Sequence, residues 1–421
     1  MDYKEYKFDN YTVHFIKTDK FKSTFLSLVL INDFKEESLI KSFVLRKLLT
    51  ASSKNLKDEV EIARKVYDLY NAGVVISNNI CNNVITTNFD IEILQDKYTE
   101  EGLTKKAIDN FFDFIFNPNI VNGEFEEKNY NLVITSIKDY FEREKDNKRR
   151  YAIDNAYNLF GEGYLKYNPN GKIEDLKKVT RKNMVTYYQE LIKTGNASIW
   201  AIGNFNDDEM LEIINSNVEN KLYKNSINYI DGNFTEKTKL KTGEDVEKNN
   251  QSILVMIYKI INMTQRERNV ILPVFNRILG EGNNSKLFKN VREKNSLCYD
   301  IRSSASREES VITISSGITG ENKDKVVKLV EEEIKEIQKG NIKEEFEEAI
   351  KFRNRALKQF EDSNSIILYI KQGNIFFGSE DLEKRKESLK TVNIDEIIEL
   401  SKKVHLSTIY MLKGEKNHEE N

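Results

Sequence analysis

The sequence predicts an α+β protein made of two tandem, duplicated domains. Runs of strand are followed by runs of helix, this order occurs twice within 421 residues, and a helix-capping motif recurs at matching places. Strands grouped apart from helices are typical of a mixed or antiparallel sheet with helices on one face. We therefore expect domains at 1–218 and 251–421, joined at 219–250 by a polar linker rich in Lys, Asn and Thr.

The first half contains the clearest alternation of apolar and polar residues. That alternation predicts strands at 12–17, 25–31, 74–80 and 84–91. Apolar residues at helical spacing predict helices at 39–50, 103–116, 124–144 and 150–160. The Thr180 hydroxyl is a predicted N-cap for a helix through 184–191, and a hydrophobic strand at 197–202 completes the domain.

The second half repeats this order. The predicted strands are 252–259, 299–304, 311–318 and 407–412, and the predicted helices are 267–279, 285–293, 322–338, 343–362, 364–377 and 394–403. Pro273 either kinks the first of these helices or marks its true start. The charged runs at 331–336 and 383–390 are interpreted as solvated helix faces. Leu-Lys-Lys-Val-Thr at 176–180 is matched by Leu-Lys-Thr-Val-Asn at 389–393, so Thr180 and Asn393 each open a predicted helix.

Composition excludes several classes of function. Lys+Arg 65 against Asp+Glu 68 gives a net charge of -3, which leaves no positive excess for nucleic acid or anionic lipid. The longest apolar runs, such as 25–31, are too short to span a bilayer, and the first residues show no signal-peptide pattern. Two cysteines, Cys81 and Cys298, fit a reducing compartment. We expect a cytoplasmic protein with neither a nucleic-acid nor a membrane partner.

Histidines are scarce and scattered. Only His14, His405 and His418 occur, no two of them within a helical turn, whereas a catalytic zinc usually takes three protein ligands. His14 lies among apolar strand residues and is expected to be structural, while His418 falls in a tail that is expected to be disordered. Cys298 has no histidine nearby in the sequence, which disfavours a thiolate nucleophile.

One segment, 284–299, places Arg292 at the end of a predicted helix and Tyr299 at the start of the next strand. Two such side chains facing one cleft could donate hydrogen bonds to a developing oxyanion. On composition alone the simpler interpretation is an arginine that caps a helix and a half-buried tyrosine. The spacing becomes informative through a resemblance.

From about residue 10 to 415 the chain resembles the pitrilysin/insulinase family of zinc peptidases, which includes the subunits of the mitochondrial processing peptidase. The best match is Ile-Leu-Gly-Glu-Gly-Asn-Asn-Ser-Lys-Leu-Phe at 278–288, followed by Val-Arg-Glu-Lys at 291–294 and Leu-x-Tyr at 297–299. Supporting stretches are found at 116–118, 160–171 and 178–180. The resemblance implies two domains that form half of a clamshell and enclose a peptide with a second half.

The chain departs from this family at the metal site. Peptide-cleaving members carry H-x-x-E-H on the first helix and a distal glutamate on a later helix. The matching positions here are Phe43, Arg46 and Lys47, with the distal position near Ser136. A phenyl ring cannot ligate zinc, and two cations repel it. We therefore expect that this chain by itself holds no cofactor and has no peptidase activity.

The Arg–Tyr pair of the family is retained at Arg292 and Tyr299. The resemblance therefore implies a non-catalytic, substrate-binding subunit of a two-chain metallopeptidase. Its partner would be a homologous subunit that carries H-x-x-E-H, the zinc and the general base, although a homodimer is also possible. Among bacterial pairs, the chain is most similar to the metal-less member of the two peptidase-like proteins linked to elongation factor P modification.

Two other functions compete with this one. The chain could be a family-derived scaffold that binds partners and cleaves nothing, like the core subunits of respiratory complexes. A neighbouring gene that encodes H-x-x-E-H would favour the two-chain peptidase, and its absence would favour the scaffold or a homodimer. An unaided hydrolase with a relocated site is disfavoured because histidines are few and unclustered.

Overall fold

A computed structural model describes residues 1–248 and 251–415. The chain forms two compact units, each a mixed sheet with helices, which confirms the predicted α+β class. Unit 1 comprises Met1–Glu142, Tyr167–Ile230 and Ser363–Tyr369, and unit 2 comprises Arg143–Lys166, Asp231–Asp362 and the chain from Ile370 onward. The expected domain limits, 1–218 and 251–421, stay a prediction, while the observed units are interleaved along the chain. His418 and the last two residues of the expected linker lie outside the described residues.

Unit 1 is built on a six-stranded sheet. In chain order its strands are β1 (Asp2–Lys7), β2 (Thr12–Lys17), β3 (Ser23–Asp33), β4 (Val75–Cys81), β5 (Val84–Leu94), the short hairpin β6 (Ile120–Val121) and β7 (Glu124–Phe125), and β8 (Asn196–Gly203). The sheet order is β1-β2-β8-β3-β5-β4, and only the β2–β8 pair is parallel.

The helices of the first half mostly cover one face of this sheet. They are α1 (Ser38–Ala51), α2 (Glu59–Asp68), α3 (Leu103–Phe116), α4 (Glu127–Glu144), α5 (Lys148–Phe160), α6 (Arg181–Thr194) and α7 (Asp207–Val218), of which α5 belongs to unit 2. Leu28, Phe89 and Phe111 are fully buried in the core between helices and sheet. On the other face His14 is buried and stacks on Trp200 at 3.8 Å between ring centroids, as expected of a structural histidine.

Unit 2 is built on a five-stranded sheet. The strands are β9 (Lys241–Lys248), β10 (Ser252–Ile260), β11 (Cys298–Ser306), β12 (Val311–Ile318) and β13 (Val404–Glu415), in the order β11-β12-β10-β13-β9. The helices are α8 (Leu272–Leu279), α9 (Lys323–Gln338), α10 (Lys343–Phe360), α11 (Asn364–Phe377), α12 (Leu382–Lys390) and α13 (Ile394–Lys402), with π-helical segments at Glu267–Ile271 and Phe288–Lys294. The helical run already begins at Gln265, so Pro273 does not mark its start; it lies in the first turn of α8, directly after the π-helical turn.

The two sheets repeat one topology. In chain order, β2, β3, β4, β5 and β8 correspond to β9 to β13, and in each sheet the only parallel pair joins the first and last of these strands. The capping motif repeats as well, because Thr180 and Asn393 both form capping boxes, with Asn183 and Glu396 respectively. The predicted duplication is therefore visible in strand order and in helix capping.

Helix α5 covers the second face of the unit 2 sheet. Ala152, Ala156 and Phe160 on α5 are buried in a cluster with Val255 and Ile257 of β10. The start of α11 is grouped instead with unit 1, where the Tyr369 hydroxyl donates to Asp90 Oδ2 at 2.7 Å. Each sheet is thus covered in part by a segment from the other half of the sequence.

Several elements differ from the prediction. The expected linker 219–250 contains β9, a polar edge strand, and the expected helix at 124–144 begins only at Glu127, because residues before it form the β6–β7 hairpin. Strand β1 and helices α2 and α7 were not predicted. None of the helices in 1–248 and 251–415 combines the length and apolar character that a bilayer crossing requires.

Asp207 at the start of α7 is expected to make unit 1 sensitive to acid. Burial alone would raise the pKa of Asp207, but hydrogen bonds from Lys17, Lys4 and Tyr6 lower it from 3.8 to about 2. The distances to Asp207 carboxylate oxygens are 2.6 Å from Lys4 Nζ and 2.8 Å from Lys17 Nζ. Because the folded-state pKa is depressed, this stabilisation is complete above pH about 4 and disappears as pH falls through about 2.

The measurement is urea unfolding of Asp207→Asn and the parent chain between pH 7 and pH 2. The variant is expected to be less stable at pH 7, and the difference is expected to shrink steadily below pH 4. Asp208→Asn, at the exposed neighbouring position, is the matched control. A parent–variant difference that is the same at all pH values would contradict the prediction.

Candidate functional site

The helix that matches the family's metal-binding helix is α1, and its Phe43 is packed rather than exposed. Phe43 is 4% exposed, and its ring lies edge-on to Tyr140 and Phe141 of α4, at 5.1 Å and 6.1 Å between centroids. Aromatic pairs in this geometry add to the free energy gained from burial. The aromatic ring therefore contributes to the core between α1 and α4.

Two linked hydrogen bonds hold Arg46 beside Phe43. Its guanidinium lies 5.2 Å from the centre of the Phe43 ring, and its Nη2 donates to Asn170 Oδ1 at 2.6 Å. Asn170 Nδ2 donates in turn to the Tyr140 hydroxyl at 2.9 Å. Burial lowers the pKa of Arg46, and the nearby phenols of Tyr140 and Tyr187 partly oppose that shift.

A tight turn brings Asn170 to α1. Gly171 has a φ of +73°, and a Cβ at this position would lie 2.6 Å from the Ile40 backbone nitrogen. Only glycine combines this left-handed conformation with such a close approach. The turn lies within the 160–171 stretch that carries part of the family resemblance, but the sequence did not single out Asn170 or Tyr140.

The other two predicted positions are exposed. Lys47 lies on the solvent side of α1, and Ser136 lies on α4 one turn before Tyr140. The residues of α4 that contact Phe43 are Tyr140 and Phe141, and the equivalence of Ser136 to the distal ligand stays a prediction.

The donor set around Phe43 does not fit zinc. Zinc sites use thiolate, imidazole and carboxylate ligands, whereas Phe43 and Arg46 meet a phenol, a carboxamide and a second phenyl ring. Within 1–248 and 251–415, no three histidine, cysteine, aspartate or glutamate side chains are grouped so that they could hold a metal ion. That the chain binds no zinc in solution stays a prediction.

Arg292 and Tyr299 meet at the edge of the unit 2 sheet. Arg292 lies near the end of the π-helical segment Phe288–Lys294, and the chain then reverses through Ser296, which has a φ of 51°. Hydrogen bonds from Ser296 N to Arg292 O and from Leu297 N to Val291 O close the helix, at 3.1 Å and 3.2 Å. This reversal returns the chain to the side of Arg292.

Tyr299 is the extra residue of a β-bulge. Cys298 pairs with Ile318 and Asp300 with Gly317, so Tyr299 has no partner on β12. The Tyr299 side chain is 63% exposed, and Arg292 Nε donates to the Tyr299 carbonyl oxygen at 2.8 Å. Bulges re-aim side chains and occur often beside functional sites. The sequence placed these two residues at a helix end and a strand start, which the structure confirms, but it did not predict the bulge.

A cavity of about 640 Å³ lies at this bulge. The residues that line it are Arg292, Glu293, Ser296, Leu297, Cys298, Tyr299, Thr319 and Asn322. The cavity presents a guanidinium and a phenol, both suited to donate hydrogen bonds to a carbonyl oxygen. The Cys298 thiol is a poor nucleophile there, because burial raises its pKa.

Comparisons with known proteins show what this chain is similar to. Residues 178–352 match the family model described as the Peptidase M16 inactive domain. The chain is 24% identical over 413 residues to the probable inactive metalloprotease YmfF of Bacillus subtilis (strain 168), with 96% of each chain covered. The chain is therefore similar to M16 peptidase homologues. It also superposes on a conserved protein from Enterococcus faecalis V583, with a TM-score of 0.92, 25% identity and full coverage of both chains.

Another solved structure with this fold is longer. The periplasmic protease PqqL from Escherichia coli superposes with a TM-score of 0.66 and 12% identity, covering 98% of this chain and 48% of PqqL. At that identity the likeness shows the fold alone. The predicted resemblance to the family is confirmed, and the match to YmfF is consistent with a non-catalytic role. The partner subunit and the roles of Arg292 and Tyr299 stay predictions.

Proposed function

We propose that this chain is the non-catalytic, substrate-binding subunit of a two-chain zinc metallopeptidase. The partner is a homologous chain that carries H-x-x-E-H, binds the zinc and supplies the general base. This chain supplies Arg292 and Tyr299, which donate hydrogen bonds to the backbone of the bound peptide and to the oxyanion that forms during cleavage. The proposal rests mainly on one observation, the bulge that presents Tyr299 to solvent beside Arg292.

The position of the bulge supports a peptide as the ligand. Strand β11 lies at the edge of its sheet and pairs only with β12 in the described chain. An extended peptide can add as a further strand to the backbone N–H and C=O groups of an edge strand. On β11, Tyr299 O already accepts from Arg292 and Ser303 N already donates to Gly280 O, so the peptide would pair with the remaining groups. A peptide placed there would run past the phenol of Tyr299 and the guanidinium of Arg292.

The residues at the metal-site positions support a two-chain enzyme. The donor set around Phe43 and Arg46 is unsuited to zinc, so a peptidase built from this half needs the metal from elsewhere. A partner chain is the simplest source.

The test mixes the purified chain with the H-x-x-E-H homologue encoded in the same genome. Hydrolysis of quenched fluorescent peptides is expected only from the mixture, and metal analysis after dialysis against a weak chelator is expected to find zinc only in the partner. A partner whose H-x-x-E-H glutamate is replaced by glutamine is the matched control and should be inactive in the mixture.

Two results would contradict the proposal. Stoichiometric zinc in the isolated chain would show that it has a metal site of its own. A stable complex of the two chains that hydrolyses none of the peptides accepted by related peptidases would favour the scaffold function instead.

A further inference from the structure

A second cavity, of about 460 Å³, lies within unit 2 and shares no lining residue with the cavity at the bulge. Its walls come from α8 and the preceding π-helical turn, from β11 and the turn after it, from α10 and from α12. Four separate segments of sequence therefore build it. This volume is in the range of small-molecule sites in proteins.

Three arginines line this cavity. Arg307 comes from the turn between β11 and β12, Arg353 from α10 and Arg385 from α12. The carboxylate among the lining residues is that of Glu281, which pairs with Arg353. Arg307 lies 3.6 Å from Glu308, whose side chain is 43% exposed. No ion pair joins Arg385 to a carboxylate in the described chain, although Glu308, Glu380 and Asp381 attract it from further away. The charged groups that line the cavity are therefore three guanidiniums and one carboxylate.

Two of these guanidiniums are fixed in position. Arg353 donates to the Pro273 carbonyl oxygen through Nη2 at 2.6 Å and through Nε at 3.1 Å. Arg385 Nε donates to the Glu380 carbonyl oxygen at 2.6 Å. Backbone anchors of this kind leave other N–H groups of the fork to bind a ligand and reduce the entropy lost on binding. The run 383–390 was interpreted as a solvated helix face, but Arg385 is largely withdrawn from solvent.

Burial and mutual repulsion destabilise the charged guanidiniums in this cavity. Burial, followed by repulsion from Arg307, lowers the pKa of Arg385 to about 10. Burial also lowers the pKa of Arg353, which Glu281 partly opposes. A depressed arginine pKa means that the charged form is destabilised where it stands. A bound anion would relieve that destabilisation.

The rest of the wall is mainly apolar. Leu357 and Phe360 of α10, Leu389 of α12 and Val270 contribute hydrocarbon surface. Polar atoms beside them are already engaged, since Ser303 Oγ donates to Asn276 Oδ1 at 2.7 Å. A ligand that fits this wall has an apolar body and a single anionic group.

We propose that this cavity binds a carboxylate with an apolar body, with the carboxylate held between Arg307 and Arg385 and the body packed against Leu357 and Phe360. A planar carboxylate matches the fork of a guanidinium and accepts two parallel hydrogen bonds from it. A free fatty acid and the C-terminus of an apolar peptide both present this chemistry. The proposal is independent of Arg292 and Tyr299.

Calorimetric titration of the full chain with octanoate tests the proposal. Octanoate is expected to bind and to raise the melting temperature, while octanol and octylamine are expected to do neither. Arg385→Gln and Arg307→Gln are expected to weaken octanoate binding about tenfold or more, because each removes a charge-assisted hydrogen bond. Arg302→Gln, at an exposed arginine of β11 that does not line the cavity, should bind like the parent.

A second pair of probes distinguishes the two sources of the carboxylate. Acetyl-Leu-Phe is titrated as the free acid and as the C-terminal amide. If the acid binds more tightly than octanoate and the amide does not bind, the natural ligand is a peptide C-terminus; the reverse order favours a fatty acid. Circular dichroism confirms that each variant is folded. Absence of binding by both acids, equal binding by Arg385→Gln and Arg302→Gln, or equal competition by inorganic phosphate would overturn the proposal.

Discussion

Tyr299→Phe and Arg292→Ala are each expected to lower the turnover of the two-chain complex on the order of a hundredfold. Tyr299 is 63% exposed and lines the cavity at the bulge, so its hydroxyl is accessible to a bound peptide. A donor aimed at an oxyanion acts mainly in the transition state, so kcat should fall while KM changes little. Steady-state kinetics on a fluorescent peptide, with partner in excess, give both constants.

Matched controls separate this effect from damage to the fold. Arg64→Ala removes an exposed arginine of α2 in unit 1, and Tyr67→Phe removes the hydroxyl of a tyrosine on the same helix that is 78% exposed. Both controls should retain parental kcat. Arg292→Ala also removes the 2.8 Å hydrogen bond to the Tyr299 carbonyl, so its loss is expected to exceed that of Tyr299→Phe. Turnover unchanged in both site variants would exclude a role for the pair.

Phe43→Ala is expected to cost about 3–5 kcal/mol of folding free energy, because truncating a buried aromatic ring leaves a cavity. Phe43 is 4% exposed and contacts Tyr140, Phe141 and the Arg46 guanidinium. The measurement is urea unfolding at pH 7. If Phe43 only filled the position of a lost metal ligand, truncating its side chain would change the free energy of unfolding little.

Lys47→Ala is the matched control for Phe43→Ala. Lys47 lies on the exposed side of the same helix, and surface substitutions usually change stability by about 0.5 kcal/mol or less. A loss below about 1 kcal/mol for Phe43→Ala would mean that α1 and α4 are not held together by this ring. Phe43 would then occupy the position of a metal ligand without stabilising the core.

The sequence predicted the strands of the core more reliably than the strands of the edge. β10 is buried along its whole length, and its apolar run is unmistakable. β9 reads Lys-Thr-Gly-Glu-Asp-Val-Glu-Lys, lies at an edge and has no buried residue, so its composition resembles that of a linker. β1 is an edge strand of the same kind. Edge strands are held mainly by backbone hydrogen bonds to one neighbour, so their sequences need not show the alternation of apolar and polar residues that predicts a strand.

The candidate site was predictable where its residues are close in sequence. Arg292 and Tyr299 are seven positions apart, and the resemblance singled them out. The bulge depends on which residues of β12 pair with β11, and a single strand does not reveal that. Arg307, Arg353 and Arg385 come from three separate elements, so only the packing of α10 and α12 brings them to one cavity. Asn170 reaches Arg46 through a turn 124 positions away for the same reason.

Each sheet is covered in part by a segment from the other half of the sequence, and this limits where the polypeptide can be divided without loss of folding. A fragment beginning at residue 219 would lack α5, and Val255 and Ile257 would lose the apolar surface that shields them. A fragment ending at residue 218 would lack the segment that contributes Tyr369 to Asp90. Neither fragment is therefore expected to fold on its own, so the two duplicated halves need to be made as one polypeptide.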